Sequence, residues 1–160
     1  MSTPTRRRAL QTVERSGKVK LGPLDNFIGF NLRLAQNASF QVFAQHADAQ
    51  HLQPGRFASL MVIHQNPGLT QIELGRAIAR DKSSVTPLVK SLQRDGLLER
   101  RPSDSDRRSV NLWLTDAGEA ALQSLLAHAR EHDRKLDEIV GAKNKPEFLR
   151  LLKKIVTELR

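Results

Sequence analysis

Apolar residues recur along this chain with a helical period, interrupted by a pair of short, partly alternating runs. From Leu24 to about Ala47 the period is kept by Leu24, Phe27, Ile28, Leu34, Ala35, Ala38 and Val42. Phe30, Phe40, Phe43 and Ala44 widen that stripe past one face, so the helix is expected to bury more than one side. His46 to His51 reads as a loop. A second helix opens at Pro54, buries Phe57, Leu60, Met61 and His64, and stops at Pro67-Gly68. Thr70 and Glu73 form a capping box for a third helix running to about Ala79, with Ile72, Leu74, Ala77 and Ile78 inward. The fourth helix has Val85, Leu88, Val89 and Leu92 as its buried stripe and Gly96 just past its end. Pro87 is tolerable only near a helix start, which places that start at Ser83 or Ser84.

Beyond Gly96 the period changes. Residues 97–101 and 110–114 are short segments around a polar turn, and they predict a two-stranded hairpin with Pro102 to Ser109 as its tip. Thr115 then caps a fifth helix with Ala121, Leu122, Leu125, Ala129, Leu136, Ile139 and Val140 inward, ended by Gly141. Asn144, Pro146 and Glu147 open a last helix that buries Phe148, Leu151, Leu152, Ile155, Val156 and Leu159. The expected fold is mainly α (α+β): a winged helix-turn-helix over 54–115, flanked by long helices over 24–47 and 116–160. The apolar faces of those flanking helices exceed what the small central module can cover, which predicts a homodimer. Residues 21–160 are expected to form one domain behind an arm of residues 1–20.

Charge sharpens this picture. Lys and Arg number 26 against 17 Asp and Glu, a net +9, which favours an anionic partner such as nucleic acid. The arm holds six basic residues against Glu14, a net +5, and reads either as a solubilising disordered tail or as an added contact to an anion. Cysteine is absent, so disulfides, thiolate metal sites and thiol redox sensing are excluded. No run approaches the roughly 20 apolar residues of a membrane span, and no signal-peptide pattern follows the arginines. A soluble cytoplasmic protein without a membrane partner is expected.

The outward side of the fourth helix carries Ser83, Ser84, Thr86, Pro87, Lys90 and Arg94, short hydroxyls and long cations suited to phosphate and base-edge contacts. Lys82, and Thr70 with Gln71 at the start of the third helix, join the expected DNA contacts. In the hairpin, Arg100, Arg101, Arg107 and Arg108 cluster with Asp104 and Asp106, and an aspartate two residues before an arginine can fix its guanidinium for entry into a minor groove. The plainer reading is a solvated charged turn. His128 and His132 stand at i, i+4, but with neither cysteine nor an H-E-x-x-H motif the pair reads as a solvated helix face, and no metal or cofactor is expected. Trp113 is expected to pack against the fourth helix. No G-x-S-x-G, P-loop or G-x-G-x-x-G is present, so an enzyme is not expected.

Asp81-Lys82-Ser83, Val85-Thr86, Gly96-Leu97, Asp106-Arg107-Arg108 and Leu114-Thr115 with Gly118 stand in the order of a known signature. Over residues 24–160 the chain resembles the MarR family of winged-helix transcriptional regulators. The resemblance implies a homodimer on a palindromic double-stranded DNA operator, a repressor released by a small effector, often an aromatic carboxylate or its CoA thioester. It implies a pocket between the dimer helices and the DNA-binding lobe. Phe27, Phe30, Arg33, Phe40, Phe43, Phe57, Met61 and His64 are the candidates for its lining, an aromatic wall with a cationic anchor. The competing expectation is an architectural DNA-binding protein without a ligand.

Overall fold

The computed structural model describes residues 19–45, 54–102 and 110–159. The chain divides into two compact units, Met1–Ala35 and Gln36–Arg160. Within the first, Gly22–Asn26 is a 3-10 turn and α1 begins at Ile28, to end at Gln45 in the second unit. The expected helix start at Leu24 is thus corrected. Phe27 is extended (φ −84°, ψ 122°), and the Asn31 side chain donates to the Asp25 and Phe27 carbonyls at 2.9 and 3.0 Å, holding that break.

In the second unit follow α2 (Pro54–Gln65), β1 (Leu69–Thr70), α3 (Gln71–Ala77), α4 (Lys82–Arg94), β2 (Leu98–Pro102), β3 (Val110–Leu114), α5 (Asp116–Val140) and α6 (Lys145–Glu158). The strands form an antiparallel sheet in the order β1-β3-β2, with Leu69 opposite Leu112 and Leu98 opposite Leu114. The hairpin reading therefore missed one strand. Two residues are too few to show a period, and Thr70 is at once the end of that strand and the cap of α3. One core cluster joins Leu60 and Ile63 of α2, Leu74 of α3, Val85, Val89 and Leu92 of α4, Leu98 and Leu112 of the sheet, and Leu122 and Leu125 of α5. Burying each such side chain fully contributes about 1.5–3 kcal/mol.

Close backbone packing explains two glycines, and a left-handed backbone a third. A Cβ on Gly118 would lie 2.0 Å from the Leu97 carbonyl oxygen, the same oxygen that accepts from the Thr115 N–H at 3.3 Å. Only glycine lets the start of α5 sit on the root of β2. At Gly75 a Cβ would meet the Arg80 carbonyl at 2.9 Å. Gly96 (φ 72°) ends α4 in a Schellman motif: its N–H reaches the Gln93 carbonyl and the Leu97 N–H reaches that of Leu92, both at 3.0 Å.

Several expected burials do not occur in one chain. Phe148, Leu151, Val156 and Leu159 are exposed and α6 has no buried residue; Ile139 on α5 is 80% exposed. Periodicity marks which face is apolar and says nothing of what covers it. Ile72 is also exposed, because α3 is only seven residues long and turns Leu74 to the core instead. Phe57, Met61 and His64 are half-buried, and Ala77 is exposed. Among the described residues, no helix is long and apolar enough to cross a membrane.

Candidate nucleic-acid interface

The site is built on the start of α4. Asp81 is its N-cap, accepting from the Ser84 N–H at 2.8 Å and from the Ser83 hydroxyl at 2.7 Å. Those bonds, the Ser83 hydroxyl foremost, hold its carboxyl below the usual carboxylate range. The helix accordingly starts at Lys82, earlier than the sequence suggested, because the Asp81 carboxylate takes the capping place that Ser83 or Ser84 was expected to fill. Pro87 then lies in the second turn rather than at N3 or N4, with no N–H to offer the Ser83 carbonyl four residues back.

Lys82, Ser83, Pro87 and Lys90 are exposed on one side of α4, with Ser84 and Thr86 half-buried beside them. Gln71, at the first position of α3, donates from Nε2 to the Thr86 hydroxyl at 2.7 Å, and that hydroxyl donates to the Lys82 carbonyl at 2.8 Å. Thr70 caps α3. Its N–H and hydroxyl both donate to Glu73 (2.7 and 2.8 Å), and its oxygen accepts the Glu73 N–H at 3.3 Å. The Thr70 N–H first, then the hydroxyl, lowers the Glu73 pKa. The Gln71–Thr86 bond thus joins the predicted contacts of the two helices. Asp106, Arg107 and Arg108 lie outside the described residues, as does all of 103–109; Pro102, expected in the tip, is instead the last residue of β2.

Sequence reasoning missed what fixes α4 in place. Arg56 of α2 is buried, its side chain 7% exposed, and it donates to the Ser91 hydroxyl at 2.8 Å and to Asp95 at 2.7 Å. The Arg56 hydrogen bond holds the Asp95 carboxyl below its ordinary range. A buried charge so paired is costly to leave unpaired, so the pair ties the C-terminal end of α4 to α2. No local signal marks Arg56, since its partners stand 35 and 39 positions away.

Trp113 departs from expectation too. On its outward face the sheet carries Glu99 opposite Trp113 and Arg101 opposite Asn111. The indole lies against Gly68, where a Cβ would come within 3.0 Å of Cζ2, and the Arg101 guanidinium stacks 4.8 Å above its ring. The ring is held by the sheet's own outer side, which alternation alone does not distinguish from the side facing α4.

The aromatic residues are only partly gathered. Phe43 is buried, 6.4 Å from Phe57 and edge-on to His132 at 5.4 Å. Phe43, Phe57, Ala129, His132 and Asp137 are among the walls of an open cavity of about 430 Å³. Met61 packs on the core cluster and His64 pairs with Glu119 at 2.8 Å. Phe40 is exposed. Phe27, Phe30 and Arg33 belong to the first unit, where the Arg33 guanidinium lies 5.2 Å above the Phe30 ring. His132, read from sequence as part of a solvated face, instead meets the Ser39 hydroxyl at 2.8 Å. That pairing spans 93 positions, beyond any local pattern.

Comparison with known proteins follows this geometry. The MarR family model matches residues 52–110. A protein of Thauera aromatica, whose name assigns it to regulation of the hcr operon, is 32% identical over 135 residues, 84% of this chain and 81% of its own. The transcriptional repressor CouR, solved on a 23-mer DNA duplex, superposes with a TM-score of 0.79 at 31% identity, covering 88% of this chain and 99% of that one. CouR bound to p-coumaroyl-CoA gives 0.78 at 28% identity, over 87% and 98%.

Proposed function

The chain belongs to the MarR family, and from that premise we propose that it is a repressor that binds a palindromic operator as a homodimer and lets go when a small aromatic acid or its CoA thioester binds. The observation that carries the reading is the exposed, hydroxyl- and lysine-bearing side of α4, capped by Asp81 and braced by Gln71. In this reading Lys82, Ser83, Ser84, Thr86, Pro87 and Lys90 meet the major groove, and Thr70 and Gln71 approach the phosphates beside it. Asp106, Arg107 and Arg108 enter the minor groove. The uncovered apolar face of α6 supports a second copy as its cover. CouR, similar over nearly its whole length, is a repressor known on DNA and with p-coumaroyl-CoA, which supports the choice of effector class. The Phe43–Phe57 cavity is the candidate place for the aromatic ring.

Fluorescence anisotropy with the duplex upstream of this reading frame tests the DNA half, and calorimetry with p-coumaroyl-CoA and simple aromatic acids tests the effector half. A saturable complex of two chains per site is expected. Linkage requires that an effector weakening DNA binding be weakened by DNA to the same factor. Binding of DNA with no response to any such acid or thioester would favour an architectural protein instead.

A further inference from the structure

Arg101 is held in a pose that the packing of the wing does not require. It shares the outer face of the sheet with Glu99, Trp113 and Asn111, whereas Leu98 and Leu112 turn to the core. Its guanidinium stacks on Trp113 at 4.8 Å and pairs with Glu99, yet the side chain remains 54% exposed. Arginine on an exposed strand ordinarily samples many rotamers. Stacking and pairing restrict them, so less freedom is lost when an anion docks. The location is equally particular. Arg101 is opposite Asn111, and Asn111 is opposite Thr70. One row of the sheet therefore links the N-cap of α3 to the last residues of β2 before the hairpin tip. Neighbouring strands are about 4.8 Å apart, so the row spans roughly 10 Å of polar surface ending in an oriented cation.

We propose that Arg101 is a phosphate contact for duplex DNA at the root of the wing, with Trp113 and Glu99 as its positioning residues. The inference rests on the DNA-binding reading above and adds to it a contact that carries no sequence information. The phosphate oxygens take over the hydrogen bond that Glu99 accepts from Arg101 in the free protein, while the stack keeps the guanidinium plane in place.

The test uses the full-length protein, the duplex upstream of its reading frame and a mixed-sequence duplex, each titrated across a range of salt. One phosphate contact contributes about 0.9 to the log–log salt slope. Arg101→Met should lower the slope by about that amount on both duplexes. The loss is then about eightfold at 0.1 M salt and vanishes toward 1 M. Arg101→Lys, which keeps the charge, should keep the slope. Because the chain has one tryptophan and no tyrosine, its indole emission reports on this stack alone. DNA should change that emission in the wild type and much less in Arg101→Met. An Arg101→Met protein with weaker binding at every salt and an unchanged slope would mean a merely structural role, and the proposal fails. So would an unchanged affinity. Wild-type protein that binds neither duplex would overturn the DNA-binding reading itself, and this contact with it.

Discussion

Ala79 is the residue where local conformation and sequence disagree most. It has φ 53°, the left-handed region that costs an L-residue with a Cβ about 1–2 kcal/mol. It ends α3 in a Schellman arrangement, with the Arg80 N–H on the Gly75 carbonyl at 2.8 Å. Ala79→Gly should therefore raise stability by about 1 kcal/mol, read as a higher urea midpoint at unchanged slope. An unchanged or lower midpoint would show that the Cβ makes compensating contacts. The same turn sets the angle between the two helices of the helix-turn-helix, so DNA affinity at low temperature serves as a check that the geometry is kept.

At the scale of elements, the chain's capping chemistry was legible and its long-range pairing was not. Thr70, Gly96, Thr115 and Gly141 mark helix ends where the sequence placed them, because caps are local and chemically specific. Asn144 is an exception: its side chain donates to the Val140 carbonyl at 3.0 Å, so the expected capping box does not form, and Glu147 pairs with Arg150 instead. The exposed, hydroxyl- and lysine-bearing side of α4 followed from periodicity, whereas Arg56–Asp95 and Ser39–His132 did not, since they join distant segments. The Arg56–Asp95 pair makes α4 docking sensitive to acid. Asp95 has a folded pKa below its ordinary 3.8, so its contribution is present above that value and is lost as pH falls through the lowered one. Asp95→Asn should destabilise the protein at neutral pH and narrow its gap from wild type as pH falls below the ordinary 3.8, in urea denaturation followed across pH. A gap constant with pH would remove Asp95 from the acid response.

For the whole molecule, the uncovered side of α6 bears on assembly. The exposed Phe148, Leu151 and Val156 of α6, with Leu159 at its end, leave an apolar side uncovered, the kind of surface a second copy would cover. Removal of Phe148–Arg160 should give a chain that is monomeric or unstable and fails to retain operator DNA, seen by sedimentation velocity and anisotropy. A truncated protein that still sediments as a folded dimer on DNA would move the dimer contact elsewhere. If two chains do cover each other here, the melting temperature should also rise with protein concentration.

The contact between Gly118 and the Leu97 carbonyl has a mechanical side. With no side chain between them, the first turn of α5 and the root of β2 have no soft layer in which a displacement can be absorbed. Helix α5 has 25 residues, a rod of about 37 Å at 1.5 Å per residue. A swing of about 5° about its wing end displaces the far end by roughly 3 Å, by the geometry of a rod of that length. Run in reverse, a few ångströms of movement near Val140 would become a small rotation at the root of β2. A glycine contact of this kind would serve as a rigid fulcrum, turning coarse displacement at one end of a long arm into fine adjustment at the other.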